Sequence, residues 1–144
     1  MKEFGFLRLS AATPPCRVAD TAHNAAAILA QYKEAARAGS ALVVFPELCI
    51  TGYTCGDLFQ QRALREGALE CLRSLLAASA DTDALAVVGL PIAKDGSLFN
   101  CAAVIQGGRV LGVIPKQNIP NYGEFYELRY FAPADASHNG TISF

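Results

Sequence analysis

Two charged residues, Glu47 and Lys116, each follow directly on an apolar run of the chain. Glu47 comes after residues 41–46, ALVVFP, and Lys116 comes after residues 110–115, VLGVIP. If these runs form buried strands, they place an acid and a base at strand ends, where open α/β sheets bind their ligands. An acid and a base so placed are two of the three parts of an amide-hydrolysing site. The third part is a nucleophilic cysteine.

Each of these residues also has a plainer interpretation. Glu47 could be a solvated carboxylate just past a strand, and Lys116 could simply extend into water. A functional role is favoured for Glu47 because it stands at the carboxyl end of a predicted strand, and the expected burial next to Phe45 and Leu48 would suit it to act as a general base. It is favoured for Lys116 because the following segment is rich in aromatic residues and poor in charge, as is typical of a pocket lining. These aromatic residues are Tyr122, Phe125, Tyr126, Tyr130 and Phe131.

Other acids and thiols of the sequence are weaker candidates. Glu124 and Glu127 could support the site, or they could be carboxylates that favour the start of a short helical turn. Cys49 would share a face with Glu47 on an extended strand, but a buried cysteine is commonly inert packing. In this chemistry the nucleophile is expected to follow Lys116, whereas all five cysteines precede it. We therefore predict that the chain is a piece of an enzyme.

The hydrophobic pattern predicts one α/β layer that positions these residues. Short apolar runs bounded by proline or glycine predict strands, and apolar residues three or four positions apart predict two amphipathic helices. Asp20 or Thr21 is expected to cap the first helix, and Asp57 the second. The expected order is a strand over 4–11, a helix over 20–38, a strand over 41–45, a helix over 58–78, a strand over 84–90, two antiparallel strands across turns at 94–97 and 106–109, and the start of a strand at 141–144.

Each predicted helix has an apolar face. The second is expected to bury Leu64, Ala68, Leu72 and Leu75 or Leu76. The residues expected on the buried face of the first helix are Ala22, Ala25, Leu29, Tyr32 and Ala36.

A sheet with strands this apolar must be covered on both faces. The two predicted helices cover one face, so we expect the other to be covered by residues beyond 144 or by another chain. A non-catalytic α/β assembly module, folded only by pairing with a second chain, is therefore an alternative interpretation.

The composition disfavours several classes of function. The formal net charge is −1, and 12 basic residues are spread among 13 acidic ones, which is unlike a nucleic-acid-binding face. Arg8 interrupts the apolar stretch at the N-terminus and no apolar run could cross a bilayer, so neither a signal peptide nor a membrane partner is predicted. The odd number of cysteines, isolated from His23 and His138, favours reduced thiols in a cytoplasmic protein without a metal site.

Three short motifs and one long segment resemble a known family. They are FPELCITGY at 45–53, GDLF at 56–59, VVGLP at 87–91 and KQNIPNYGEFYELRYFAP at 116–133. Together they resemble the glutaminase domain of glutamine-dependent NAD synthetases, within the nitrilase superfamily. The first motif is shared across the superfamily, and the long segment points to the synthetases.

The resemblance implies an αββα sandwich and a Glu-Lys-Cys triad. Glu47 would take the thiol proton and later pass it to the departing ammonia, and Lys116 would stabilise the oxyanion. By similarity, the residues that hold the L-glutamine substrate would be Tyr122, Tyr53 and Phe125. Glu127 would contact the catalytic residues rather than the substrate.

The resemblance also implies what lies around the chain. Residues 1–144 would be the N-terminal portion of a nitrilase-like glutaminase domain, ending before the Cys-Glu-Asp motif that carries the nucleophile. ATP and magnesium are expected in a synthetase domain of the same protein and no cofactor in this segment. Its partners would be L-glutamine and the remainder of its own chain, in a homo-oligomer. Another nitrilase-like amidase or carbamoylase is the alternative enzyme.

Overall fold

The structure is a computed structural model that describes residues 5–135 and 140, and its strands and helices alternate before three strands follow in succession. The expected strand at 141–144 lies outside the described residues. The elements are β1 (Leu9–Ala11), α1 (Thr21–Arg37), β2 (Leu42–Val44), α2 (Arg62–Ser79), β3 (Leu85–Lys94), β4 (Ser97–Gln106) and β5 (Arg109–Pro115), with 3₁₀ turns at Gly56–Gln60 and Glu127–Arg129.

The five strands form one mixed sheet in the order β1-β2-β3-β4-β5. The first three strands pair in parallel, and β3, β4 and β5 pair antiparallel. The two hairpin turns contain residues with positive φ at Asp95 and Gly96 and at Gly107 and Gly108, a conformation that suits tight turns. The α/β class and the antiparallel meander predicted from the sequence are confirmed.

The first helix begins where its capping signal predicts, but its buried face is rotated. The side chain of Asp20 accepts a hydrogen bond from the His23 amide. Ala22, predicted to be buried, is exposed, because the face turned inward contains Asn24. The Asn24 amide donates to the Arg17 carbonyl at 2.8 Å and to the Ile50 carbonyl at 3.1 Å, and these bonds offset the cost of its burial. The buried residues are Asn24, Ala25, Ile28 and Tyr32.

The second helix begins later than predicted. Residues 56–60 form a 3₁₀ turn, and α2 starts at Arg62 with Gln61 at its N-cap, so the prediction that Asp57 caps this helix is wrong. Asp57 instead accepts hydrogen bonds from the Arg129 guanidinium at 2.9 and 3.1 Å. The apolar face was predicted well, since Leu64, Ala68, Leu72 and Leu75 are all buried.

One face of the sheet packs against the helices and the other lacks a covering layer among the described residues. Side chains alternate along β2, so Val43 belongs to the helix-side core while Val44 lies on the outer face. On that outer face Leu9 is 64% exposed, Val44 42% and Ile114 56%. None of the described helices is long and apolar enough to cross a membrane.

The exposed outer face gives a direct prediction for the isolated chain. Residues 1–144 should bind a fluorescent hydrophobic dye or self-associate, because contiguous apolar surface of this kind is rarely left in water. I114S should lower the dye signal, whereas L128S, which removes a leucine that is 51% exposed outside the sheet, should not. A monodisperse chain that leaves the dye dark would contradict this prediction.

Candidate active site

Glu47 lies on a sharp turn that follows β2. The backbone of residues 47–51 forms turns, and Leu48 has a φ of 49°, so the strand does not continue to Cys49. The turn rests directly on β3 at Gly89, where an added Cβ would lie 2.3 Å from the Leu48 nitrogen. The Ile50 amide donates to the Gly89 carbonyl at 3.2 Å. Backbone contact with a glycine therefore sets the position of Glu47.

Lys116 follows the last residue of β5 and contacts Glu47 directly. Its Nζ lies 2.6 Å from Oε1 of Glu47. The Lys116 backbone is held on both sides, since its amide donates to the Asn100 carbonyl at 2.8 Å and its carbonyl accepts from Ala134 at 3.0 Å. The structure thus brings together the two residues singled out first in the sequence. The side chain of Glu47 is 41% exposed, so the expectation that it is buried is wrong: the turn carries it beyond the end of β2.

Glu127, rather than Glu124, joins this pair. Lys116 Nζ lies 3.1 and 3.0 Å from the two carboxylate oxygens of Glu127, whose side chain is 6% exposed. The Tyr53 hydroxyl donates to Oε1 of Glu127 at 2.7 Å. Burying a carboxylate is unfavourable unless it is paired and hydrogen-bonded, and these contacts supply both. Glu124 is exposed on the same segment.

The charges around Lys116 determine its protonation. Burial alone would lower the pKa of Lys116, but the hydrogen bonds and opposite charges of Glu47 and Glu127 outweigh burial and raise it. Burial, together with the hydrogen bond to Glu127, also raises the pKa of Tyr53. Lys116 is therefore a cation at neutral pH and Tyr53 a neutral donor. This suits Lys116 to stabilise developing negative charge rather than to accept a proton.

Of the other two predicted substrate residues, Tyr122 is exposed beside Lys116 and Phe125 is half-buried. Tyr122 is 71% exposed and lines a groove together with Lys116 and Pro120. Its ring lies edge-on to Phe125, with 5.6 Å between the centroids. The structure thus places Tyr122 next to Lys116, and Phe125 packs against Tyr122.

Four of the five cysteines of this chain are buried and poorly suited to be nucleophiles. Burial raises the pKa of Cys49 to about 11 and that of Cys101 to about 12, so both stay protonated at neutral pH. Cys55 and Cys71 are also buried, and burial raises their pKa. Cys16 is exposed. It lies beside Gly52, the residue that follows the turn on which Glu47 lies.

Cys49 instead supports the turn on which Glu47 lies. Its sulfur accepts a hydrogen bond from the Gly89 amide at 3.3 Å and lies 3.7 Å from the Gly89 carbonyl. This is the packing role that the sequence favoured.

Among residues 5–135 and 140, no three His, Cys, Asp or Glu side chains group so as to hold a metal ion.

The pair has one polar neighbour that was not predicted from the sequence. Asn100 on β4 donates from Nδ2 to Oε1 of Glu47, while its backbone carbonyl accepts from Lys116. The available signal was a single asparagine inside the apolar strand SLFNCAAVIQ, since a buried polar residue requires a partner.

Comparisons with known proteins agree on one family. The model of the carbon-nitrogen hydrolase family matches residues 8–143. The chain is 41% identical over 140 residues to the glutamine-dependent NAD(+) synthetase of Mycobacterium tuberculosis strain H37Rv, covering 97% of this chain and 20% of that one. The chain therefore spans about a fifth of the length of this relative.

Solved structures show the same fold. The crystal structure of a glutamine-dependent NAD(+) synthetase from Cytophaga hutchinsonii has a TM-score of 0.89 at 33% identity, covering 96% of this chain and 23% of that one. A variant of the Nesterenkonia AN1 amidase, from the nitrilase superfamily, has a TM-score of 0.73 at 25% identity, covering 90% of this chain and 48% of that one. The chain matches the N-terminal part of a nitrilase-like sandwich.

Proposed function

Because the chain belongs to the carbon-nitrogen hydrolase family, we propose that it forms part of a glutaminase domain. The domain would hydrolyse the side-chain amide of L-glutamine and supply the ammonia for ATP-dependent synthesis of NAD from deamido-NAD. The observation that carries this proposal is the direct contact of Lys116 with Glu47 and Glu127 at the ends of the strands. The similarity to glutamine-dependent NAD synthetases supports the choice of glutamine.

In this proposal the residues of the chain divide the work of amide hydrolysis. The nucleophile is a cysteine thiol contributed by the part of the protein that follows residue 144. Glu47 accepts the thiol proton as sulfur attacks the amide carbon, and Lys116 stabilises the oxyanion that forms. When the carbon–nitrogen bond breaks, Glu47 returns the proton to the leaving ammonia.

The second half-reaction releases the product. Water attacks the thioester carbon, Glu47 takes a proton from the water, and the carbon–sulfur bond breaks. The sulfur leaves as a thiolate, which recovers the proton from Glu47, and glutamate departs. Splitting the hydrolysis in two replaces one difficult step with two easier ones.

The remaining site residues hold the substrate and the lysine. Tyr53, Tyr122 and Phe125 contact glutamine in this proposal, and Tyr122 already lines a groove with Lys116. Glu127, paired with Lys116 and Tyr53, keeps the ammonium aligned between two carboxylates.

The whole protein would need further parts. We propose that ATP and magnesium bind a synthetase domain outside this chain, that the protein is a cytoplasmic homo-oligomer, and that it requires neither nucleic acid nor a membrane. The similarity to glutamine-dependent NAD synthetases favours this function over a free-standing amidase or carbamoylase and over a non-catalytic module.

Isotope transfer tests the proposed function against these alternatives. The full-length protein, supplied with deamido-NAD, ATP, magnesium and glutamine labelled with ¹⁵N at its amide, should place the label in the carboxamide of NAD. Mass spectrometry of the product measures this. Release of labelled ammonia without NAD would indicate an amidase, and no consumption of glutamine would indicate a non-catalytic module.

A further inference from the structure

One buried polar side chain has no role in the mechanism above. Asn100 lies on β4 between Phe99 and Cys101, whose side chains belong to the helix-side core. Because side chains alternate along a strand, that of Asn100 lies on the outer face, on the side of Glu47. Only 4% of Asn100 is exposed. A strand position this deep in the sheet would ordinarily be apolar.

Asn100 contacts both charged residues of the proposed pair. Its side-chain Nδ2 donates to Oε1 of Glu47, and its backbone carbonyl accepts from the Lys116 amide at 2.8 Å. A carboxylate can only accept hydrogen bonds, so the amide must turn its nitrogen rather than its oxygen toward Glu47. One residue of β4 therefore sets the distance between the base and the cation.

The surroundings of this amide make its polarity informative. Asn100 and Glu47 line one groove. Its other lining residues on the sheet include the apolar residues Val44, Val87, Ala102 and Ile114. Burying an amide in such a place is unfavourable unless it is hydrogen-bonded. Packing alone would be satisfied by leucine, which has a similar size. The contact with Glu47 accounts for the asparagine.

Both contacts to Glu47 reach the same oxygen. Asn100 Nδ2 and Lys116 Nζ converge on Oε1, and in residues 5–135 and 140 no hydrogen bond or ion pair engages Oε2. Rotation of the carboxylate about the Cγ–Cδ bond would move Oε1 away from both donors. Oε2 is left to receive a proton.

We propose that Asn100 is a positioning residue that, with Lys116, fixes Oε1 of Glu47 so that Oε2 faces the reacting thiol. This inference rests on the proposed function, because Asn100 acts only through the proton transfer of Glu47. Asn100 would touch neither substrate nor nucleophile, so it should affect turnover and leave substrate binding intact.

The experiment compares three variants of the full-length protein. N100L removes the donor at similar volume, and N100D places an acceptor opposite the carboxylate. C101V is the matched control, since Cys101 is equally buried, at 4% exposure, but packs on the other face of the sheet. Each is assayed for glutamine hydrolysis, for NAD synthesis from free ammonia, and for the rate at which iodoacetamide alkylates the nucleophilic thiol.

We expect N100L and N100D to lower kcat for glutamine hydrolysis about 10- to 100-fold, part of the 10²–10⁴ that a positioned base contributes. KM should change by less than about threefold, and the rate of thiol alkylation should fall with kcat. Synthesis from ammonia, and every activity of C101V, should be preserved.

Other results would overturn the inference. If N100L and N100D keep kcat within about threefold while E47Q loses hydrolysis, Asn100 does not position the base, although the proposed function stands. If both variants also lose synthesis from ammonia, Asn100 serves folding. If E47Q itself hydrolyses glutamine normally, the proposed function fails and this inference fails with it.

Discussion

Replacing Glu47 with glutamine in the full-length protein is expected to lower glutamine-supported NAD synthesis by about 10²–10⁴-fold, the usual contribution of a positioned general base. Glutamine keeps the shape of the side chain, and its oxygen can still accept from Lys116, but it cannot take the thiol proton. Synthesis supported by free ammonia should survive, because that route bypasses the thiol. Both rates can be measured on the same preparation by following NAD.

The matched control for this variant is E66Q. Glu66 forms an exposed ion pair with Arg62 at 2.7 Å on α2, away from the site, so the same chemical change there should alter neither rate. Equal loss of the two activities in E47Q would mean that the substitution damages the fold and that Glu47 has no separate role in glutamine hydrolysis.

Replacing Lys116 with methionine should also remove glutamine hydrolysis, by about 10²–10³-fold, as when an oxyanion donor is lost. Unlike E47Q, it should destabilise the protein as well. Glu127 is 6% exposed and would lose its cation while keeping the hydrogen bond from Tyr53, and a buried charged group that loses its partner costs at least about 1–3 kcal/mol. Thermal unfolding and glutamine turnover, measured together, separate the two effects.

Two further variants sharpen this prediction. Lys94 is 28% exposed, close to the 29% of Lys116, but among the described residues its one ion pair is with the exposed Asp95 at 4.0 Å, so K94M should change neither stability nor turnover. K116R keeps the charge but presents a planar fork in place of a compact ammonium, so we expect it to recover stability without recovering turnover. Full hydrolysis by K116M would exclude Lys116 as the oxyanion stabiliser.

The sequence predicted the parts of the fold that depend on local pattern. The hairpins follow from glycine-containing turns between apolar runs, and the buried residues of α2 follow from helical spacing. The contact between Glu47 and Lys116 was predictable because both stand at strand ends. The start of α2 was not, since Asp57 is as good a capping residue as any but is engaged by Arg129, which lies far along the chain.

The details of the site depend on contacts that no local pattern encodes. The exposure of Glu47 follows from the turn at Leu48, a conformation rare for leucine and maintained here by packing on Gly89. Asn100 could be recognised as unusual within its strand, but its partner lies 53 positions away. The choice between Glu124 and Glu127 likewise depends on which carboxylate the segment turns toward Lys116.

The contact at Gly89 has a consequence for how this domain can change over time. Main chain rests on main chain there, and any other amino acid would place a Cβ 2.3 Å from the Leu48 nitrogen, where no rotamer can relieve the clash. Neighbours such as Val88 meet side chains, which can repack when a partner changes. Position 89 has no such freedom, so we expect glycine to be required where β3 supports the turn of Glu47, whereas neighbouring positions of the strand can accept apolar substitutions.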